Sequence, residues 1–161
     1  MHKRSAEKEL IERVLEINRV TRVVKGGKRM RFRALVVIGD GKGKIGWGLG
    51  KAADVSTAIA KASTSAKKRL ITIPVMGSTV PYPVHYTYKS AQVLLKPASP
   101  GTGIIAGGAV RIVLQLAGIK DAVAKMMGSQ DKISNTVATV EALKTLTSAK
   151  EIKRIRNIRA E

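Results

Sequence analysis

Apolar residues in the first half of the chain follow the two-residue period of β-strands. Leu15 to Lys25 and Met30 to Ile38 are rich in branched apolar residues and predict two strands. Between them, Gly26-Gly27 predicts a tight hairpin turn. After a turn at Gly39 to Gly43, Lys44 to Gly50 predicts a third strand, because apolar and glycine residues alternate strictly. Its two faces would carry Ile45, Trp47 and Leu49 on one side and Gly46, Gly48 and Gly50 on the other.

Two other segments of the first half fit helices. Ala6 to Val14 is compatible with a short helix of alternating charge. Asp54 is suited to cap a longer helix that runs to about Leu70. The glycines of the third strand would let this helix pack closely, which is favoured over an approach of the bare backbone to a phosphate. This predicts three antiparallel strands backed by one helix. The apolar stripe that would face the sheet consists of Val55, Ala58, Ile59, Ala62, Ala66 and Leu70.

The second half of the chain predicts a separate α+β unit. Prolines and glycines between Ile71 and Val84 indicate a linker or a change of domain. The predicted elements are a hairpin (Val80–Tyr88 and Ala91–Lys96), a loop (Pro97–Gly103), a helix (Gly107–Ala117), a strand (Ile119–Met127) and a helix (Ser134–Leu146). The predicted parts are an N-terminal basic domain (residues 1–73), a C-terminal α+β domain (residues 74–147) and a basic tail (residues 148–161).

The charge of the chain points to nucleic acid. Lys and Arg number 30 against 11 Asp and Glu, so the formal net charge at pH 7 is +19. This excess is typical of nucleic-acid-binding domains. Apolar residues make up 44% of the chain, which is enough for a packed core. Aromatic residues make up only 3%, which favours recognition of backbone and shape over base stacking as the main mode.

Few residues are suited to metal binding or catalysis. The chain has no cysteine, and its two histidines, His2 and His85, are far apart. A thiolate site, a His-based zinc site and a Ser-His-Asp triad are therefore disfavoured. We expect no metal, no cofactor and no catalytic residue. No signal peptide or membrane-spanning run is recognisable, which favours the cytoplasm and argues against a membrane.

The strongest concentration of charge lies in the first hairpin. Residues 19–33 read RVTRVVKGGKRMRFR and contain seven cations and no acid. Self-repulsion at this hairpin would be relieved by a bound polyanion, and RNA is the simplest one that fits. The predicted RNA-binding residues are Arg19, Arg22, Lys25, Gly26, Gly27, Lys28, Arg29, Arg31 and Arg33, with Lys42, Lys44 and Lys51 from the adjoining turn and strand.

Two glycine-rich segments have to be weighed as nucleotide sites. Gly41 to Gly46 matches G-x-G-x-x-G, but a strand rather than a helix follows it, so a hairpin turn is favoured. Gly101 to Ala109 opens a helix and resembles in outline the phosphate loop of galactokinase-type kinases. It lacks the Lys-Ser/Thr of a P-loop, and a structural turn or a protein contact is favoured. A small-molecule kinase and a DNA-compacting protein are the alternative classes.

Two long segments resemble a known family. INRVTRVVKGGKRMRFRALVVIGDGKGKIGWGLGKA and LLKPASPGTGIIAGGAVRIVLQLAGIKDAVAKMMGS occur in the order and spacing of the S-five ribosomal protein family of the bacterial small subunit. The resemblance spans about Leu15 to Leu146. One stretch departs, because Val80 to Ser90 reads VPYPVHYTYKS where the family often has Pro-His-Glu and Gly-Lys-Phe-Gly. The contacts of that second hairpin are not carried over.

The resemblance implies a structural rRNA-binding protein that helps hold the head–body arrangement of the small subunit and supports translational accuracy. It implies an N-terminal domain related to double-stranded-RNA-binding domains and a C-terminal domain with a βαβ unit. The implied partners are small-subunit rRNA and the S-four and S-eight ribosomal proteins, beside the path along which mRNA enters. Val24 to Arg29 match the family's rRNA loop. Gly103, Ile104 and Arg111 fall in the segment that faces the S-four protein, where changes in the family loosen decoding accuracy.

Overall fold

A computed structural model describes residues 10–75 and 77–147, and within them it contains two four-stranded sheets and three helices. The predicted α+β class is confirmed, whereas the basic tail at residues 148–161 lies outside the described residues. The elements in chain order are β1 (Ile11–Val24), β2 (Gly27–Gly39), β3 (Lys44–Ala52), α1 (Val55–Lys67), β4 (Ile71–Thr72), β5 (Val84–Tyr88), β6 (Ala91–Pro97), β7 (Ile104–Ile105), α2 (Gly108–Ala117), β8 (Ala122–Gly128) and α3 (Lys132–Lys144).

The first strand begins earlier than the sequence pattern predicted. The helix predicted over Ala6–Val14 is wrong for its last four residues, because Ile11 to Val14 pair with Val36 to Gly39 of β2. The start of that predicted helix, residues 6–9, lies outside the described residues. Pairing with a neighbouring strand overrides a local helical preference that is worth less than about 1 kcal/mol per residue.

The β1–β2 hairpin projects beyond the rest of its sheet. β3 pairs with β2 only from Phe32 to Gly39, so residues 20–31 form a two-stranded ribbon. We call residues 19–33, which include this ribbon, the basic arm. The predicted Gly26-Gly27 turn is shifted by one residue. Val24 pairs with Gly27, so the two-residue turn is Lys25-Gly26, and its φ of 95° at Gly26 favours glycine there.

α1 packs on the glycine face of β3, as the sequence predicts. A Cβ atom added at Gly48 would lie 2.1 Å from the carbonyl oxygen of Ala62, and one added at Gly50 would lie 2.2 Å from that of Ala58. No side chain fits between the two backbones. The small core beneath α1 is formed by Ala34, Val36, Ile38, Ala52, Ala58, Ala62 and Ala66.

The boundaries of α1 differ slightly from the prediction. Asp54 precedes the helix, but its side chain accepts no capping hydrogen bond. The helix ends at Lys67, and Leu70, predicted as the last buried residue, is 37% exposed. The chain turns at once into β4, a two-residue strand that pairs with the start of β3 and that the pattern did not reveal.

The second sheet contains the βαβ unit that the resemblance implies. Its strand order is β5-β6-β8-β7, and α2 connects β7 to β8, which is parallel to it. β7 consists only of Ile104 and Ile105 and was predicted as part of a loop. Asp131 is the N-cap of α3, because its carboxylate accepts a hydrogen bond from the backbone N–H of Ser134 at 2.8 Å.

One hydrophobic core joins the two sheets. Val37 and Ile45, on the face of the first sheet that points away from α1, are fully buried with Leu114 of α2 and Leu143 of α3. The basic arm therefore projects from a body that includes both halves of the chain. The domain boundary between residues 73 and 74 stays a prediction.

Candidate nucleic-acid interface

The strand register sorts the basic arm into two chemically different faces. Directly paired residues of antiparallel strands project to the same side, and successive residues of one strand project to opposite sides. One side of the arm is densely cationic, and we call it the cationic face. Its pairs are Arg22–Arg29, Val20–Arg31 and Asn18–Arg33, and β3 adds Lys51 beside Arg33.

The reverse face of the arm mixes apolar side chains with two cations. The residues Val23 and Met30 on this face are 76% and 55% exposed. Neighbouring apolar side chains that are this exposed often mark a binding surface. The pairs on this side are Arg19–Phe32, Thr21–Met30 and Val23–Lys28. The predicted RNA-binding residues therefore do not form one cluster: Arg19 and Lys28 lie on the reverse face, and Lys25 lies in the turn between the faces.

Four of the predicted cations surround a shallow groove on the cationic face. The groove has a volume of about 160 Å³ and is lined by Val20, Arg22, Val24, Arg29, Arg31 and Lys51. The ion pairs formed within residues 10–75 and 77–147 are Lys67–Glu12, Lys132–Glu16 and Lys144–Glu141, so none of them neutralises the arm. The positive potential of the groove is therefore open to an external anion.

The structure separates Lys42 and Lys44 from the other predicted cations. They lie at the β2–β3 turn, at the opposite end of β2 from the arm's tip. Thirteen residues of strand lie between these two ends, and at 3.3 Å per residue they span about 40 Å. The two lysines are exposed, but they cannot contact the same few phosphates as the arm.

The G-x-G-x-x-G segment has no free amides for a phosphate. Gly41 N–H and Gly43 N–H donate to the last carbonyls of α2, at 3.0 and 2.9 Å. Asp40 accepts the N–H groups of Lys42 and Lys44 at 2.8 and 2.9 Å. The segment is a hairpin turn that satisfies the C-terminal end of α2, as the turn interpretation predicts.

The carboxylate of Asp121 occupies the amide groups of the Gly101 loop. Asp121, which is only 5% exposed, accepts the N–H groups of Gly101 and Gly103 at 3.0 and 2.9 Å. These amides are the groups that a kinase loop of this outline would offer to phosphate. The pKa of Asp121 lies below its ordinary value mainly because Ser78 and the Gly103 N–H donate hydrogen bonds to the carboxylate. The Gly101 N–H and the charge of Lys120 lower this pKa further. Together these effects outweigh burial, which raises it. The geometry argues against a nucleotide site.

Asp121→Asn should lower the melting temperature at pH 7 by several degrees, because the folded loop binds the charged carboxylate. A depressed pKa in the folded state stabilises the protein fully above the unfolded value of about 3.8. This stabilisation is lost as the pH falls through the folded value. The melting temperatures of the two proteins should therefore begin to converge only as the pH falls below about 3.8. A constant difference at all pH values would contradict the role of the charge.

The three predicted protein-interface residues do lie together. An Nη2 atom of Arg111 donates to the carbonyl oxygen of Ile104 at 2.8 Å, and Gly103 directly precedes β7 with a φ of 76°. Arg111 is exposed. With Gln115 and Lys120 it lines a surface pocket of about 450 Å³ at the edge of the second sheet.

The sequence did not reveal that the Asp121 carboxylate holds the Gly101 loop. It also did not reveal that the fold brings Arg69 and Lys89 to the same pocket as Arg33. Asp121 is a single acid between Lys120 and an apolar strand. It lies beside the glycine loop only because β8, which follows it, pairs in parallel with β7, which follows the loop. Within residues 10–75 and 77–147, no cluster of three or more His, Cys, Asp or Glu could hold a metal ion. In the same described part of the chain, no helix is both long and apolar enough to cross a membrane.

These features define a class: a small, strongly basic α+β protein with a projecting cationic arm suited to a polyanion and with glycine loops that are structural. Comparison with protein families gives the particular one. The family described as ribosomal protein S5, N-terminal domain, matches residues 10–74, and the family described as ribosomal protein S5, C-terminal domain, matches residues 86–156. The chain belongs to the ribosomal protein S5 family.

Membership in this family fixes the general role of the protein. It is an RNA-binding structural protein of the small ribosomal subunit, a ribonucleoprotein particle that acts in translation in the cytoplasm. The family is structural rather than enzymatic. The resemblance inferred from the two long sequence segments is confirmed.

Proposed function

We propose that the cationic face of the basic arm is the main rRNA-binding surface of this protein. The observation that supports it is the alignment of Arg22, Arg29 and Arg31 on one side of an exposed ribbon, where no carboxylate of residues 10–75 or 77–147 pairs with them. Arginine donates paired hydrogen bonds to phosphate oxygens, so it fixes the position of a backbone as well as neutralising it. Such contacts position the protein on a folded RNA without reading base sequence.

The shape of the arm supports this proposal. A two-stranded ribbon without a covering helix presents cations on one side of a narrow projection, whereas the body behind it is held by the shared core. The reverse face, with Val23 and Met30 exposed, would pack against sugar or base edges when the arm enters a groove. Lys42 and Lys44, at the far end of β2, would contact a different part of the rRNA.

A second part of the proposal concerns protein partners and accuracy. Arg111 uses one guanidinium nitrogen for the Ile104 carbonyl and retains other N–H donors for a partner. The pocket beside it also carries Lys120, so an acidic side chain of a neighbouring protein would be bound there. We assign this surface to the S-four ribosomal protein, place S-eight as a further neighbour, and place the protein by the path along which mRNA enters. The same contacts would stabilise the head–body arrangement and support decoding accuracy.

Arg111→Leu should raise stop-codon readthrough in cells that depend on the variant. Loss of a partly buried charged contact costs about 1 to 3 kcal/mol, which shifts a two-state equilibrium of the subunit by roughly 5- to 150-fold. If the lost contact must open when the subunit closes on a tRNA, closure becomes easier and misreading rises. A dual-luciferase readthrough reporter measures this directly.

The control for that experiment removes a cation elsewhere. Lys125 is exposed on β8, and Lys125→Leu should leave readthrough at the wild-type level. The amount of each variant in purified small subunits has to equal that of the wild type. Wild-type accuracy with full incorporation of Arg111→Leu would remove Arg111 from a fidelity interface.

The proposal of rRNA binding is tested by competition. A labelled fragment of small-subunit rRNA is bound to the protein on filters and then displaced by unlabelled rRNA or by duplex DNA of equal phosphate content. A folded-RNA binder should be displaced by far less rRNA than DNA. Equal displacement by both would instead support a general DNA-compacting protein.

A further inference from the structure

A pocket at the base of the basic arm combines cations with aromatic rings. It has a volume of about 490 Å³, within the size range of sites that hold small ligands. Its walls come from β2, β3, the end of α1, the β5–β6 turn and the start of α3, so residues distant in sequence meet there. The residues that matter for its chemistry are Arg33, Trp47, Arg69, Tyr88, Lys89 and Asp131.

The rings in this pocket are already arranged with cations. The guanidinium carbon of Arg69 lies 5.0 Å from the centre of the Trp47 ring, and Lys89 Nζ lies 5.6 Å from the centre of the Tyr88 ring. Trp47 and Tyr88 are only partly buried. Aromatic faces and guanidinium planes are the surfaces on which unstacked bases rest in complexes with single-stranded RNA.

The charge of the pocket is positive. Three cations face a single acid, Asp131, whose pKa is lowered mainly by its hydrogen bond from Ser134 and to a lesser degree by the charge of Arg33. Asp131 is already used as the cap of α3. Arg69 and Lys89 form no ion pair within the described residues, so their charge is available to a phosphate.

The backbone conformation of Lys89 follows from its place in a tight turn that borders the pocket. Lys89 occupies the two-residue turn between β5 and β6 and has a φ of 53°, the left-handed region that glycine or asparagine adopts more easily. Among the described residues it is the one non-glycine residue with a positive φ. The favoured two-residue hairpin turns need a positive φ at their first residue, so the turn itself accounts for this conformation.

The pocket is continuous with the cationic face. Arg29, Arg31 and Arg33 alternate along β2 on that face at intervals of about 6.6 Å, twice the rise per strand residue. The last of them lines the pocket. An RNA strand that follows this row from the tip is therefore led to Arg69 and Lys89.

We infer that this pocket binds one unstacked nucleotide of single-stranded RNA, with its base against Trp47 and Arg69 and its phosphate between Arg33 and Lys89. The inference rests on the proposed RNA-binding function and adds a second contact, one that uses a base rather than the backbone alone. An acidic peptide would satisfy the cations but would leave the two aromatic faces unused.

Trp47 is the only tryptophan of the chain, so its fluorescence reports on this pocket alone. The protein is titrated with an adenylate hexamer and with an abasic hexamer of the same phosphate number, and total binding is followed in parallel by anisotropy of end-labelled oligomers. The adenylate hexamer should quench Trp47 and bind about 10-fold more tightly than the abasic hexamer, in line with the stacking of one base. The abasic hexamer should leave the fluorescence almost unchanged.

Two charge variants locate the effect. Lys89→Gln should weaken quenching and reduce the salt slope of adenylate binding by about 0.7, the value for one phosphate on a single strand. Lys61→Gln removes an equal charge from an exposed position of α1 outside the pocket and should change neither.

Several results would overturn the inference while the rRNA-binding proposal stands. In the first, the adenylate hexamer binds by anisotropy but does not quench Trp47. In the second, both hexamers quench Trp47 equally. In the third, polyglutamate quenches Trp47 as strongly as the adenylate hexamer does. Binding of structured rRNA without any binding of the hexamers would overturn it too. Failure of rRNA itself to bind would instead overturn the proposed function.

Discussion

Gly48→Ala is expected to lower the free energy of unfolding by about 3 kcal/mol or more, the upper part of the range for overpacking. The added methyl group would lie 2.1 Å from the carbonyl oxygen of Ala62 and 2.6 Å from the backbone nitrogen of Ala66. Both are backbone atoms of α1, which cannot rotate away as a side chain can. The helix must move outward, and the small alanine core beneath it then loses contact.

The measurement is thermal unfolding followed by circular dichroism, where this loss corresponds to a fall in melting temperature of about 10 °C for a protein of this size. Gly108→Ala is the matched control, because Gly108 begins α2 and no heavy atom lies within 4 Å of its added Cβ. It should melt within about 2 °C of the wild type. Wild-type melting of Gly48→Ala would show that α1 does not pack on β3 as described.

Replacing Arg22, Arg29 and Arg31 together by Gln is expected to have the largest effect on RNA affinity. If each arginine neutralises one phosphate, the plot of log affinity against log salt concentration should become less steep by roughly 2 to 3 units. The fold should survive, because these side chains lie on an exposed ribbon outside both hydrophobic clusters. Filter binding to a small-subunit rRNA fragment at several salt concentrations measures the slope for the wild type and for the triple variant.

The control for the arm removes three charges from other surfaces. Lys61 and Lys68 are exposed on α1 or at its end, and Lys125 is exposed on β8. The triple Gln variant at these positions has the same net charge as the arm variant. Its slope should stay close to that of the wild type. Equal slopes for the two triple variants would mean that net charge, and not the cationic face, controls binding.

The parts of the fold that the sequence predicted are those encoded by nearby residues. Gly46, Gly48 and Gly50 alternate with larger residues on β3, and only a strand with a bare face produces that pattern, so the packing of a helix on it could be predicted. The basic arm was visible for the same reason, since seven cations without an acid lie within fifteen residues.

The parts that were missed depend on distant partners. Ile11 to Val14 have a mixed pattern, and only the pairing with β2 makes them a strand. Ile104 and Ile105 are too few to show a period, and β8 makes them β7. The turn at the tip was misplaced by one residue because both Gly26 and Gly27 are suited to it and the register decides between them.

The sequence allows candidate site residues to be named but does not give their arrangement. Alternation along β2 alone places Arg29 and Arg31 on one face and Lys28 on the other. That Arg22 of β1 joins Arg29 follows only from the observed register of β1 against β2. Asp121 shows the same limit, because the sequence offers the Gly101 loop as a phosphate site and the fold fills it with a carboxylate. The pocket at the base of the arm likewise forms only when Arg33, Arg69 and Lys89 meet.

The most direct test of the central claim is site-specific photo-cross-linking in assembled small subunits. The chain has no cysteine, so Val24→Cys provides a single attachment point for an azidophenacyl probe beside Arg22 and Arg29 on the cationic face. Lys61→Cys on α1 serves as the control position. The proposed interface predicts efficient cross-links from the Val24 position to small-subunit rRNA, in clear excess over those from the Lys61 position. Cross-links from the Val24 position to ribosomal proteins alone, with rRNA unmodified, would contradict it.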